Sequence, residues 1–124
     1  MRSIKVEGLN IPWTVLTFGC LQIAPSKEWG NVCSVQEADR LVKTALEGGI
    51  MAFDTAESYG DGESERRLGK ALNSWKNDVL IISKINPDAG LTLEAYQSRL
   101  DGTLKALERD YVDVYLVHWP GMYL

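Results

Sequence analysis

Ile50-Met51-Ala52-Phe53-Asp54-Thr55-Ala56-Glu57-Ser58-Tyr59-Gly60-Asp61-Gly62-Glu63-Ser64-Glu65-Arg66-Arg67-Leu68-Gly69 is the stretch that settles the class of fold. It opens on a four-residue apolar run, Ile50 to Phe53, too short for a helix. A glycine-rich loop follows. The chain then enters a segment from about Ser64 to Trp75 in which Leu68 and Leu72 lie four apart. An apolar run of this length followed by a helical period reads as strand, loop and helix. Gly69 weakens that helix slightly and suggests close packing against a strand.

The same unit recurs on both sides. Val15 to Phe18, Val79 to Ile82 and Val112 to Val117 are further short runs, rich in β-branched and aromatic residues. They read as strands buried on both faces, as in a parallel sheet. Ser34-Val35-Gln36-Glu37 is a capping-box start, after which Val35, Ala38, Leu41, Val42, Ala45 and Leu46 keep one face apolar until Gly48-Gly49. A third helix starts near Thr92 and carries Leu93, Tyr96, Leu100, Leu104 and Leu107, with Pro87 and Gly90 in the loop before it. Ahead of everything, Ile4 to Pro12 places two short runs around Glu7-Gly8, the pattern of a small hairpin. The expected organisation is one α/β domain over 1–124, with a hairpin over 1–14 and a parallel sheet with right-handed crossovers over 15–124.

The 124 residues suffice for one domain with a real core. A hydrophobic share of 45% and a charged share of 24% are ordinary for a globular chain. Eleven aromatic residues need burial, which excludes disorder as a description of the whole chain. The formal charge of −4, with no basic cluster, speaks against nucleic-acid binding. No run reaches the roughly 18 apolar residues of a membrane span. Cys20 and Cys33 lack metal or redox spacing, and with one histidine, His118, they make a poor zinc site, so no metal is expected. A cytoplasmic protein with reduced thiols is the expectation.

Function is read from the strand ends. Gly19, Asp54, Lys84 and His118 follow successive apolar runs at intervals of 30 to 35 residues. Parallel strands so spaced deliver these groups to one C-terminal edge, where α/β folds bind ligands and do chemistry. Each residue alone has an ordinary structural reading: a turn acid, a solvated lysine, a surface tyrosine at Tyr59, a hydrogen-bonded core histidine. Together they supply an acid, an amine, a phenol and an imidazole. Hydride addition to a carbonyl puts negative charge on oxygen, which then needs a proton. A phenol is a weak acid, and a neighbouring ammonium eases the loss of its proton. A carboxylate holds that ammonium charged, and a neutral imidazole can orient the carbonyl oxygen. General acid catalysis of this kind contributes about 10² to 10⁴ in rate.

The block Phe53 to Gly69 closely resembles the signature of the aldo-keto reductase superfamily. Ile82-Ser83-Lys84, Tyr111-Val112-Asp113-Val114-Tyr115-Leu116-Val117-His118-Trp119-Pro120, the opening hairpin and Thr17-Phe18-Gly19 are similar to it as well. The resemblance implies a (β/α)8 barrel of the TIM type with a hairpin closing its bottom. It implies reduction of aldehydes or ketones with NADPH, occasionally NADH, bound without a Rossmann fold; no G-x-G-x-x-G is present. Carried over, Tyr59 is the proton donor, Lys84 and Asp54 tune it, and His118 orients the carbonyl. Gly19 and Asp54 fall on the cofactor side; Tyr59, His118 and Trp119 fall on the substrate side. Thr17 stands where many members have Gly, and Leu21 where many have Trp or Met.

A complete barrel of this type takes about 250 residues. Four strands and three helices are legible here, so the expectation is an incomplete barrel, its N-terminal half. Phosphate sites in such barrels come from the loops after strands seven and eight. The isolated chain is therefore expected to be inactive alone. Its open fourth strand is expected to associate with another copy or with a C-terminal half. Two readings compete: a non-catalytic regulatory or binding protein of the same fold, and a flavodoxin-like sheet. Potassium-channel β subunits, which resemble the family, depart from the usual His at the place of His118; a flavodoxin-like sheet requires a phosphate loop after the first strand that is absent here.

Overall fold

The computed structural model describes residues 1–121. Strands β1 (Ser3–Ile4) and β2 (Trp13–Thr14) pair antiparallel, Ser3 opposite Thr14 and Ile4 opposite Trp13. Strands β3 (Phe18–Gly19), β4 (Ala52–Asp54), β5 (Leu80–Ile85) and β6 (Val114–Val117) form one parallel sheet in the order β3-β4-β5-β6. Helices α1 (Val35–Glu47), α2 (Glu63–Ala71) and α3 (Leu93–Leu107) make the crossovers. Sequential strand order with crossovers of one hand puts all three helices on one face. A flavodoxin-like sheet reverses its order after the second strand; this one does not, so that reading is removed.

Register fixes what each face carries. Phe18 pairs with Phe53 and Phe53 with Ile81, and all three meet the helices in one core with Val42, Leu46, Leu68, Leu72 and Leu107. The alternate residues share the opposite face: Gly19 beside Asp54, Asp54 beside Ile82, Ile82 beside Val114, and Lys84 beside Leu116. The Ser34 capping box is formed, its hydroxyl accepting from Glu37 N–H while Glu37 accepts from Ser34 N–H.

Several expectations are corrected. Val15 and Leu16 are not strand; both are exposed, at 46% and 55%. Val15 N–H instead continues the hairpin by bonding Arg2 O, and buried Thr14 donates its hydroxyl to Leu16 O, bending the chain before β3. The hairpin's second arm is Trp13–Thr14, beyond Pro12, with Gly8 supplying a positive φ of 88° in the wide connection. The second helix begins one residue earlier, at Glu63, and ends at Ala71; Asn73–Trp75 is a separate tight turn. Gly69 packs not against a strand but against the end of α3, since a Cβ there would lie 2.5 Å from Leu107 O. Val35, Leu41 and Leu93 are exposed, although each fits the apolar period of its helix. β6 is not buried on both faces: Leu116 and Val117 are 43% and 38% exposed, for no later element covers them among the described residues.

Candidate active site

Three consecutive β/α units deliver the site. Asp54 ends β4, Lys84 is the penultimate residue of β5, and His118 follows β6 directly. Tyr59 lies on the loop between β4 and α2. The four stand together at the C-terminal edge of the sheet, Asp54, Lys84 and His118 as their spacing in the chain predicts.

Lys84 is the hub. Its ammonium donates to an Asp54 carboxylate oxygen, to Thr55 O at 2.7 Å, and to Tyr59 Oη at 3.5 Å. The Lys84 side chain is 12% exposed and that of Asp54 35%. An ammonium so far from water needs a carboxylate, and Asp54 supplies it. The Tyr59 ring meets His118 edge-on, centroids 5.5 Å apart, and His118 leans on Trp119 at 4.7 Å. His118 Nδ1 lies 3.3 Å from Ser58 Oγ. Burial first, then the Lys84 charge, lower the His118 pKa below the ordinary imidazole value; Asp54 and Glu57 oppose them. The ring is therefore neutral at pH 7.

The loop that carries Tyr59 is tightly specified. Gly60, Asp61 and Gly62 all have positive φ, and a Cβ at Gly60 would meet the Ala24 methyl at 2.7 Å. Thr55 and Ser64 share a buried hydroxyl contact of 2.9 Å, and Ser64 donates to Cys20 O. Beside the loop, Pro25, Gly30, Asn31, Ser58, Gly60 and Asp61 border an open cleft of about 500 Å³, which none of the four candidate groups lines.

The remaining candidates fall around this cluster. Gly19 is paired in register with Asp54, and a Cβ there would meet nothing within 4 Å. The backbone beside Asp54 is therefore open at Gly19. Trp119 is 38% exposed, its indole N–H 3.4 Å from Asp88 Oδ1. Cys20 and Cys33 are buried free thiols; burial pushes both up from the ordinary thiol range. Sequence reasoning passed over Thr55, Ser58, Glu57 and Arg99. Glu57 accepts from Asn86 N–H and from both ends of the Arg99 fork.

Known proteins agree with this architecture. The model of the aldo/keto reductase family matches residues 15–124. An aldo-keto reductase of Mycolicibacterium smegmatis is 38% identical over 89 residues, covering 71% of this chain and 31% of that protein. A thermostable aldo-keto reductase solved with the inhibitor epalrestat superposes with a TM-score of 0.86 at 34% identity, covering 100% of this chain and 45% of the other. A Klebsiella pneumoniae aldo-keto reductase solved with NADPH gives 0.81 at 25% identity, covering 98% and 41%. The chain spans about a third of the curated relatives it matches and under half of the solved barrels. It belongs to the aldo/keto reductase family, and its sheet and helices are an incomplete (β/α)8 barrel.

Proposed function

We propose that the chain carries the reacting corner of an NADP(H)-dependent reductase that turns a small aldehyde or ketone into an alcohol, with Tyr59 as the proton donor. The observation that carries the reading is the Lys84 ammonium, bound to Asp54 and Thr55 O and set 3.5 Å from Tyr59 Oη. NADPH, when bound, supplies the hydride. Asp54 and the open backbone at Gly19 would hold its nicotinamide end. Its phosphates and adenosine belong, on this reading, to the later strands that longer relatives possess, as barrel phosphate sites do.

The chain's own groups do the rest. Tyr59 passes its phenolic proton to the carbonyl oxygen as negative charge develops there. Lys84 stabilises the phenolate left behind, and Asp54 keeps Lys84 charged and aimed. When Ser58 donates to His118 Nδ1, the ring proton sits on Nε2 and can bond the carbonyl oxygen in the site. Trp119 offers an exposed aromatic wall beside His118 for the substrate's apolar part. Retention of His118 supports this reading over a non-catalytic regulator.

The test replaces the matching N-terminal segment of the thermostable reductase by this chain and follows NADPH absorbance with a small aldehyde. The chimera is expected to turn over, and Tyr59→Phe to remove turnover while sparing NADPH binding. Full activity of Tyr59→Phe would end the proton-donor assignment.

A further inference from the structure

We infer that Glu57 is a positioning residue, which clamps the loop bearing Tyr59 to the tip of β5 and so holds Tyr59 and His118 on either side of Lys84. The inference rests on the reductase reading for its purpose, but its geometry stands independently.

The β4–β5 ladder does not stop where β4 ends. Thr55 N–H donates to Ile82 O, and two residues on, Glu57 N–H donates to Lys84 O at 3.4 Å. At the next step the chain has turned away into the loop. Here the Glu57 carboxylate takes over as acceptor: Asn86 N–H reaches Glu57 Oε1 at 2.6 Å. Glu57 thus bonds Lys84's own carbonyl with its backbone and, with its side chain, the N–H of Asn86 just past the end of β5. On the other side of β5, His118 N–H donates to Ile85 O at 3.0 Å. Lys84 therefore sits between two neighbours whose backbones are pinned within one residue of it.

The clamp has a third jaw. Arg99 of α3 grips both Glu57 oxygens, Nε to Oε2 at 2.8 Å and Nη2 to Oε1 at 3.0 Å. A planar fork on a planar carboxylate fixes orientation as well as distance. The Glu57 side chain is only 12% exposed, so these bonds are poorly replaced by water. Tyr59 is two residues from Glu57 and Ser58 is adjacent. Beyond the Thr55 N–H bond to Ile82 O at its start, the loop's anchors, Thr55–Ser64 and the Gly60 contact with Ala24, fix it to α2 and to the 20–25 segment. Without Glu57, nothing in the described structure beyond Lys84 itself ties the middle of this loop to β5.

The experiment uses the 124-residue chain and its single histidine as an NMR reporter. Glu57→Gln removes the charge but not the size; Arg99→Met removes the fork but leaves the Glu57 charge. Both are expected to speed amide exchange of Asn86 and of residues 57–60 about tenfold, with Val42 in α1 unchanged. Both are expected to weaken the ring-to-ring Overhauser contact between Tyr59 and His118. The His118 titration, faced by Lys84, Asp54 and Glu57, is expected to move to lower pH in Glu57→Gln and to stay put in Arg99→Met. An unchanged Tyr59–His118 contact overturns the proposal, and so does protection lost equally at Val42 and in the loop. If Glu57→Gln does not fold, Arg99→Met decides alone. No step needs turnover, so an inactive chimera would sink the reductase reading and leave this result standing.

Discussion

Lys84 Nζ lies 3.5 Å from Tyr59 Oη while holding the Asp54 carboxylate and Thr55 O more closely. The ammonium is therefore anchored by two oxygens of the β4 end and only touches the phenol. Such an arrangement stabilises a phenolate when one forms, without locking the phenol beforehand. Lys84→Met in the chimera should lower turnover by about 10² to 10⁴-fold, measured as NADPH oxidation under saturating aldehyde. Activity within twofold of the parent would remove Lys84 from the mechanism.

His118 is held below the ordinary imidazole value because it is half-buried and faces Lys84. The unfolded chain then takes up the proton first as pH falls. Stability supplied by the neutral ring is present above the unfolded value, about 6.5, and is lost as pH falls through the lower folded value. Urea midpoints should fall between pH 7 and pH 5, and His118→Asn should flatten that slope. An unaltered slope would contradict the burial account.

Glu65 works with the opposite sign. It is 2% exposed, accepts from Ser83 Oγ at 2.6 Å, and is raised above the usual carboxylate range by burial, with Glu57 adding to this. Here the folded form holds its proton longer. The stabilisation is full below the unfolded value near 4.3 and is lost as pH rises through the folded one. Glu65→Gln keeps an acceptor for Ser83 and removes the ionisation. It should unfold at higher urea than the parent at pH 8, and the gap should narrow toward pH 4.

Two helical glycines make a matched pair. At Gly69 a Cβ would meet Leu107 O at 2.5 Å, whereas at Gly102 nothing lies within 4 Å. Gly69→Ala should destabilise by about 1–3 kcal/mol through overpacking. Gly102→Ala should stabilise by up to about 1 kcal/mol through helix propensity. Chemical denaturation of both variants would show whether the α2–α3 contact is as close as described.

Asp113 carries two bonds at the other end of the sheet. It accepts from Ile81 N–H at 2.8 Å and pairs with Arg109 at 3.3 Å, their side chains 4% and 3% exposed. Asp113→Ala orphans both donors in a buried place and should cost about 3–5 kcal/mol. Circular dichroism during a urea titration would register it, and a loss under about 1 kcal/mol would mean that water reaches Arg109.

The gathering of Asp54, Lys84 and His118 was legible because parallel strands one β/α unit apart must end at one edge. Tyr59, on a loop without a period, was legible from the chemistry of the set, a phenol beside an amine and an acid, and from the resemblance. Glu57 was invisible for a different reason. An acid in a polar loop reads as solvated unless its partners are known, and those partners, Asn86 and Arg99, lie 29 and 42 residues away. The hairpin register and the neighbour of Gly69 were misread likewise, because period and turn chemistry name a contact's existence but not which distant atom supplies it. Val15 and Leu16 have strand composition, yet Thr14 claims the local backbone bonds first.

The four candidate groups ride on three successive β/α units. Residues 52–119, together with the 20–25 segment that braces the Tyr59 loop, therefore form a transplantable cassette. A designer could seat it in an unrelated eightfold scaffold and choose the opposing wall afresh, changing which molecules enter while leaving the Asp54, Tyr59, Lys84 and His118 cluster intact.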